Sequence, residues 1–420
     1  MPAPTSNPTR HRGRHRFGGH GTLETCSAGR DNGMGSIRLT LAVAVVVAHA
    51  TSLGFGWEDL GHSRFRSQTN VGTLAVFGFF VLSGLLITRS AARTPIGRFA
   101  WHRALRILPG LWVCLLVTAF VVAPVVALHE RGTLDGFLDG PRGPVQYVWN
   151  NWFVGVRQYG IQDLLATSTP WGRETSSSVF NGALWSLIYE SACYAVAGLV
   201  AVTGVLRRAP WLLPVAAAVL YLRIVADQVQ SRLPVGPPAG HYGSTTLPLF
   251  GAVSHQWLMY LGFAFLLGSV LEVYRTRIPI HDGLGVAGVV VLIGSLLLGG
   301  FFVVGLPALA YVLVWAAVRA PRRLRRVGQD NDYSYGVYIY GFVVQQALAT
   351  FGVARLGYAG YTAVSLLLTA GLAVASWHLV ERRALALKRW RPGRRSGHPE
   401  ELQRESDSPS ARRPVYRSPG

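Results

Sequence analysis

Acidic residues are scarce in this 420-residue chain: 20 Asp and Glu stand against 40 Lys and Arg, for a formal net charge of +20. Only 14% of the residues are charged, whereas 50% are hydrophobic and the mean hydropathy is +0.30. Long apolar runs without acidic residues exclude a soluble single-core protein. Lysine is nearly absent, so the basic charge is carried by arginine. Cysteine is sparse and scattered: Cys26 in the N-terminal tail, Cys114 and Cys193 in apolar runs. That excludes a disulfide framework and a thiolate metal site, and no metal is expected. No short apolar core with a cleavage site precedes Ile37, so a signal peptide is not expected, and Met34 is an alternative start. A two-halves repeat of the transporter kind is also missing.

What is present is a series of apolar runs that approach the roughly 20 residues needed to cross a bilayer. About ten are readable, near 37–56, 71–89, 107–127, 182–203, 211–229, 251–272, 283–300, 302–318, 333–351 and 361–380. The expected fold class is therefore all-α integral membrane, with about ten transmembrane helices. A membrane domain over 37–382 lies between disordered basic tails at 1–36 and 383–420. Arginine collects in alternate connections: Arg89 to Arg106, Arg207 and Arg208, Arg275 and Arg277, and Arg319 to Arg326. By the positive-inside rule both termini are cytoplasmic, in a multi-pass protein of the cell (inner) membrane. The same distribution accounts for the charge without nucleic acid as a partner. The segment near 128–181, with Trp149, Trp152 and Trp171, is expected to lie over the opposite face as a lid.

Ionisable groups inside the apolar runs carry the functional signal, because they are costly there. Arg38 and His49, eleven residues apart in the first run, project from one helical face, about 16 Å apart along its axis. An arginine at the membrane edge snorkels, but an imidazole among valines and alanines does not. Arg103 and Arg106 share a face at i,i+3, and paired guanidiniums at the inner rim suit an anionic cytoplasmic ligand. Positive-inside anchoring is the better reading for Arg93 and Arg98. Glu190 opens the fourth run, about 13 Å below its outer end. His49 lies about 10 Å below the outer end of its own run, so the two are expected to meet at similar depth. Pairing of Glu190 with Arg223, or hydrogen bonding within the bundle, is the bland alternative, and Glu381 is expected to pair with local arginines.

Taken together these segments resemble the membrane acyltransferase-3 family, whose integral enzymes acylate sugars, polysaccharides and some antibiotics. The resemblance covers about 37–382 and rests on five elements. These are Arg38-x10-His49, Phe79-Phe-Val-Leu-Ser83-Gly84, Arg103-x-x-Arg106-Ile-x-Pro109, Leu184-Trp185-Ser186-x-x-x-Glu190, and the Tyr335-x-x-Tyr338 start of the ninth run. Three positions depart from the family pattern. Phe77 stands where many relatives carry an acid, Gly341 where many carry a histidine, and Arg382-Arg383 where Arg/Lys-Pro is usual. No appended extracytoplasmic hydrolase-like domain is expected.

The resemblance implies transfer of an acyl group, usually acetyl, from cytoplasmic acyl-CoA to a hydroxyl of a carbohydrate or glycosylated acceptor. It makes His49 the catalytic residue, as general base or as covalent acyl carrier, with Arg38 its companion. Arg103 and Arg106 fall at the CoA end. Glu190 is expected to raise the basicity of His49, and Ser186, Trp185, Tyr189 and Tyr338 are candidate acceptor or oxyanion contacts. The rival class is a transporter or flippase of an amphiphilic glycan or lipid, using the same buried polar residues as a path.

Overall fold

The computed structural model describes residues 21–26, 32–230 and 242–389, and within them the chain is 72% helical with almost no sheet. Ten long helices organise it: α1 (Met34–Phe55), α2 (Val71–Ala91), α3 (Ile96–Arg131), α4 (Gly182–Val202), α5 (Leu212–Gln230), α6 (His255–Val273), α7 (Asp282–Leu298), α8 (Phe301–Arg319), α9 (Ser334–Thr350) and α10 (Val353–Ala386). Eight are long and apolar enough to cross a membrane. The other two, α7 and α9, have 17 residues each. The expected ten runs are therefore present as helices, while eight rather than ten meet the length and apolarity of a span. A bilayer leaves backbone groups no water to bond, which favours helices that satisfy their own ladder.

Local chemistry sets the helix ends. The Asn70 side chain accepts from the Thr73 amide at 2.7 Å to cap α2, and Gly56, with φ of 66°, closes α1 in the left-handed conformation. The expected start of the third run is corrected: α3 begins at Ile96, so Arg103 and Arg106 lie within the helix. Two turns of π-helix, Thr118–Val122 in α3 and Trp377–Glu381 in α10, adjust which side chains face the bundle.

Packing runs outward from α9, whose residues 334–346 are all buried. A reciprocal glycine contact joins α2 and α6. A Cβ at Gly84 would lie 1.9 Å from the Phe265 carbonyl oxygen, and one at Gly268 would lie 1.9 Å from that of Val81. No other residue allows two backbones so close. At the arginine-rich end of the same pair, Arg89 grips Glu272 through Nε and Nη2 at 2.8 and 2.7 Å. Leucines and valines such as Leu222, Val290 and Leu367 are exposed on the periphery, as a lipid-facing belt requires.

Parts of the stretches expected to be disordered tails are structured: 21–26, 32–36 at the start of α1, and 383–389 at the end of α10. Gly21–Thr22 pairs antiparallel with Pro279–Ile280, Leu23 is fully buried, and Glu24 bonds Arg275 at 2.9 Å. One buried leucine and one ion pair hold this piece against the arginine-rich end. Residues 1–20, 27–31 and 390–420 of the expected tails lie outside the described residues.

At the opposite end, 132–181 covers the bundle. It carries two short helices, Pro144–Asn151 and Pro170–Thr175, and the buried Gln158 side chain fastens the loop around the first, donating to the carbonyls of Arg142 and Gly160 at 2.9 Å each. Trp149, Trp152 and Trp112 stack in sequence on this cover.

Candidate active site

Two cavities lie end to end along α1, α4 and α9. The basic cavity, at the arginine-rich end, is narrow, with a volume of about 100 Å³. At roughly 30 Å³ per water it admits an extended chain but no bulky head. Arg38, Ser83, Arg103, Arg106, Glu190 and Tyr194 line it, and Ser186 and Tyr338 form its far end. The histidine cavity, under the cover, holds about 390 Å³. It is lined by His49, Ser52, Leu53, Asp59, Tyr159, Trp171, Val179, Gly182 and Phe342.

The arginines of the basic cavity differ in their commitments. Asp332 precedes α9 by two residues, and its Oδ1 accepts from the Ser334 amide at 3.2 Å and the Ser334 hydroxyl at 2.5 Å. Its Oδ2 accepts from Arg38 at 2.6 Å and from Arg106 at 2.7 Å. Burial opposes this charge, but the Arg106 and Arg38 guanidiniums hold the Asp332 carboxyl well below the usual carboxylate range. Arg106 also lies 3.5 Å from Glu381, which the π-turn of α10 presents inward and which accepts from Ser376. Arg38 and Arg106 are thus braces joining α1, α3, α9 and α10.

Arg103 has no such brace. Among the described residues no carboxylate lies within ion-pair distance and its buried Nε has no hydrogen-bond partner, while its guanidinium sits 5.9 Å from the rings of Phe99 and Tyr194. Lys388, just past α10, lies close enough to Arg103 and Arg106 to share their field. Burial first, then these two arginines, bring its ammonium down to about 8. Arg103 and Lys388 are therefore cations with spare capacity for an anion.

The expected meeting of His49 and Glu190 does not occur. Glu190 faces the basic cavity, accepting from Ser83 at 3.1 Å and from the Tyr194 hydroxyl. His49 lines the other cavity, level with Gly182, and eight residues of helix place Glu190 about 12 Å further on. The depth expectation took the start of α4 as the membrane surface. The structure buries that start: Asn181 is 1% exposed and donates to the Ile339 carbonyl at 2.8 Å. Nor does Glu190 pair with Arg223, whose carboxylate is Asp227 at 3.4 Å.

Asp59 is the carboxylate beside His49, and sequence reasoning missed it. It stands in the loop after α1, fixed by the Asn70 amide at 3.1 Å, and shares the cavity with the imidazole. Phe342 presents its ring edgewise to His49, at 5.4 Å between centroids. Of the four contact candidates, Ser186 and Tyr338 reach a cavity. The Tyr338 hydroxyl donates to the Ala183 carbonyl at 2.8 Å and meets Ser186 Oγ at 2.6 Å. Trp185 and Tyr189 line neither cavity. Trp185 packs on Trp257, and Tyr189 accepts the Ser254 amide at 2.9 Å below the hairpin of Ser244–Leu247 and Gly251–Ser254.

Among the described residues no group of His, Cys, Asp and Glu is arranged to hold a metal. The arrangement offers an anion-binding end, a slot, and a chamber holding an imidazole with a carboxylate neighbour.

A family model described as an acyltransferase domain matches residues 31–378. An O-acetyl transferase of Shigella phage Sf6 is 27% identical over 371 residues, covering 85% of this chain and 96% of the relative. Nodulation protein 10 of Rhizobium leguminosarum bv. viciae is 24% identical over 376 residues, covering 86% and 95%. No solved structure matches significantly.

Proposed function

The chain belongs to this acyltransferase family, and from that premise we propose that it moves an acetyl group from cytoplasmic acyl-CoA to a hydroxyl of a carbohydrate or glycosylated acceptor. The observation that carries this reading is the end-to-end pair of cavities, one with spare cationic charge and one with His49. Both termini, and with them the arginine-rich end, face the cytoplasm of the inner membrane by the positive-inside rule.

Arg103 and Lys388 hold the donor phosphates, and Arg106 and Arg38 keep that end assembled through Asp332. The donor's long arm lies in the narrow slot, which admits a chain and excludes the nucleotide. The acceptor occupies the wider chamber, whose volume lies within the roughly 300–1,000 Å³ of small-molecule sites and whose Tyr159 and Trp171 offer faces for a ring. His49 takes the proton of the acceptor hydroxyl as its oxygen attacks the thioester carbonyl. The C–S bond breaks, and the thiolate leaves with the proton that His49 returns. Asp59 orients the imidazole and favours its protonated form during the step. Arg38, about 16 Å from His49 along α1, acts through the Asp332 brace rather than on the imidazole.

The relative named O-acetyl transferase supports acetyl as the group and oxygen as its destination. The test is incorporation of label from acetyl-CoA into lipid, glycan or secreted glycoside by membranes carrying the protein. Incorporation above control membranes supports the reading. Movement of a glycolipid across the bilayer without acyl-CoA, and no incorporation, would replace it with the transporter reading.

A further inference from the structure

The two cavities share no lining residue, yet they are one helical turn apart. On α9, Tyr338 lines the basic cavity and Phe342, four residues on, lines the histidine cavity. On α4, Ser186 and Gly182 stand in the same relation. The partition is therefore about 6 Å thick, the length of one turn of α9.

These rings are held differently. Tyr338 is latched by two hydrogen bonds, to the Ala183 carbonyl and to Ser186. Phe342 is 6% exposed and has no polar anchor. One edge rests on the bare backbone of Gly182, where a Cβ would lie 2.6 Å from the ring, and the other meets His49. Any side chain at 182 would occupy the ring's seat. The ring borders the chamber, and side chains move between staggered χ1 wells.

We propose that Phe342 is the gate between the donor slot and the acceptor chamber, seated on Gly182 and swung aside for transfer. The inference rests on the acyl-CoA reading above. Closed, the ring keeps chamber water and His49 away from the thioester. Without the ring, water replaces the acceptor: its oxygen attacks the thioester carbonyl, His49 takes the proton, the C–S bond breaks, and acetate and free CoA thiol result. An enzyme whose chamber opens to the far side of a membrane needs such a barrier, or it wastes donor whenever acceptor is missing.

The experiment uses the full chain in lipid nanodiscs with acetyl-CoA and no acceptor, following thiol release alongside acetyl-CoA binding. Phe342→Ala and Phe342→Leu should each raise thiol release by roughly tenfold or more, with acetyl-CoA affinity unchanged. Adding His49→Ala should abolish the gain. If the alanine variant does not assemble, the leucine variant, which keeps most of the packing, carries the same readout. A ring with only a packing role would lower turnover when removed. Unchanged or lower thiol release in variants that bind acetyl-CoA normally overturns the gate. Failure of the unsubstituted protein to bind acetyl-CoA overturns the donor reading instead, and the gate with it.

Discussion

Asp332 carries the most consequential structural prediction, because one carboxylate oxygen joins two arginines from different helices. Asp332→Asn leaves Arg38 and Arg106 facing each other with no shared anion. Their side chains are 26% and 14% exposed, and that of Asp332 is 17% exposed, so water screens this loss only in part. Breaking a buried ion pair by removing one partner costs about 3–5 kcal/mol, and partial exposure places this case near about 3. That corresponds to a shift of roughly a hundredfold in the folded population. The assay is thermal or denaturant unfolding in detergent, read by loss of the monodisperse species. Arg38→Ala should cost less, since Arg106 keeps its partner. The double variant should fall short of the sum by about 0.5–3 kcal/mol. Asp332 has a depressed carboxyl, so its contribution is present above the ordinary Asp value and is lost as pH falls through the folded one. The effect of Asp332→Asn should therefore be the same at pH 5.5 and pH 7.5. Strict additivity, or an asparagine variant as stable as the parent, would refute the brace.

The remaining predictions concern the two cavities. Arg103→Ala should weaken acetyl-CoA affinity by about 10- to 100-fold, the worth of a charge-assisted bond of roughly 1.5–3 kcal/mol, with little loss of stability; unfolding without a change in affinity would make Arg103 structural. Lys388 has its ammonium lowered to about 8, so donor affinity should fall as pH rises from 7 to 9, and Lys388→Ala should remove that dependence. A titration with the same pH slope in both proteins would exclude Lys388 from the donor site. Asp59→Asn should lower the turnover number by about 10- to 100-fold and leave donor affinity intact, as loss of an imidazole-orienting carboxylate does. An effect on donor affinity alone would place Asp59 elsewhere in the cycle.

The helices were legible because a bilayer imposes length and apolarity on every crossing. The exceptions are instructive. The start of α3 was placed too late because its first turns carry arginines, which composition reads as loop and the structure reads as helix reaching out of the apolar layer. His49 stands out in the sequence as an imidazole among valines, with a hydrogen bond inside the bundle as the bland alternative. Its carboxylate was not legible: the depth arithmetic for Glu190 assumed that α4 starts at the surface, and the buried Asn181 turn shifts it by about two turns. Asp59 and Lys388 lie outside the apolar runs, where no periodicity marks them. Trp185 and Tyr189 were misplaced because the hairpin at 244–254 that covers Tyr189 has no strong strand pattern.

The central claim is that His49, in the chamber beyond the donor slot, performs the transfer. The most direct measurement is acetyl incorporation from labelled acetyl-CoA by purified His49→Ala protein, with donor binding measured in the same preparation. The account predicts unchanged donor binding and no transfer above background. Full transfer by that variant would contradict it.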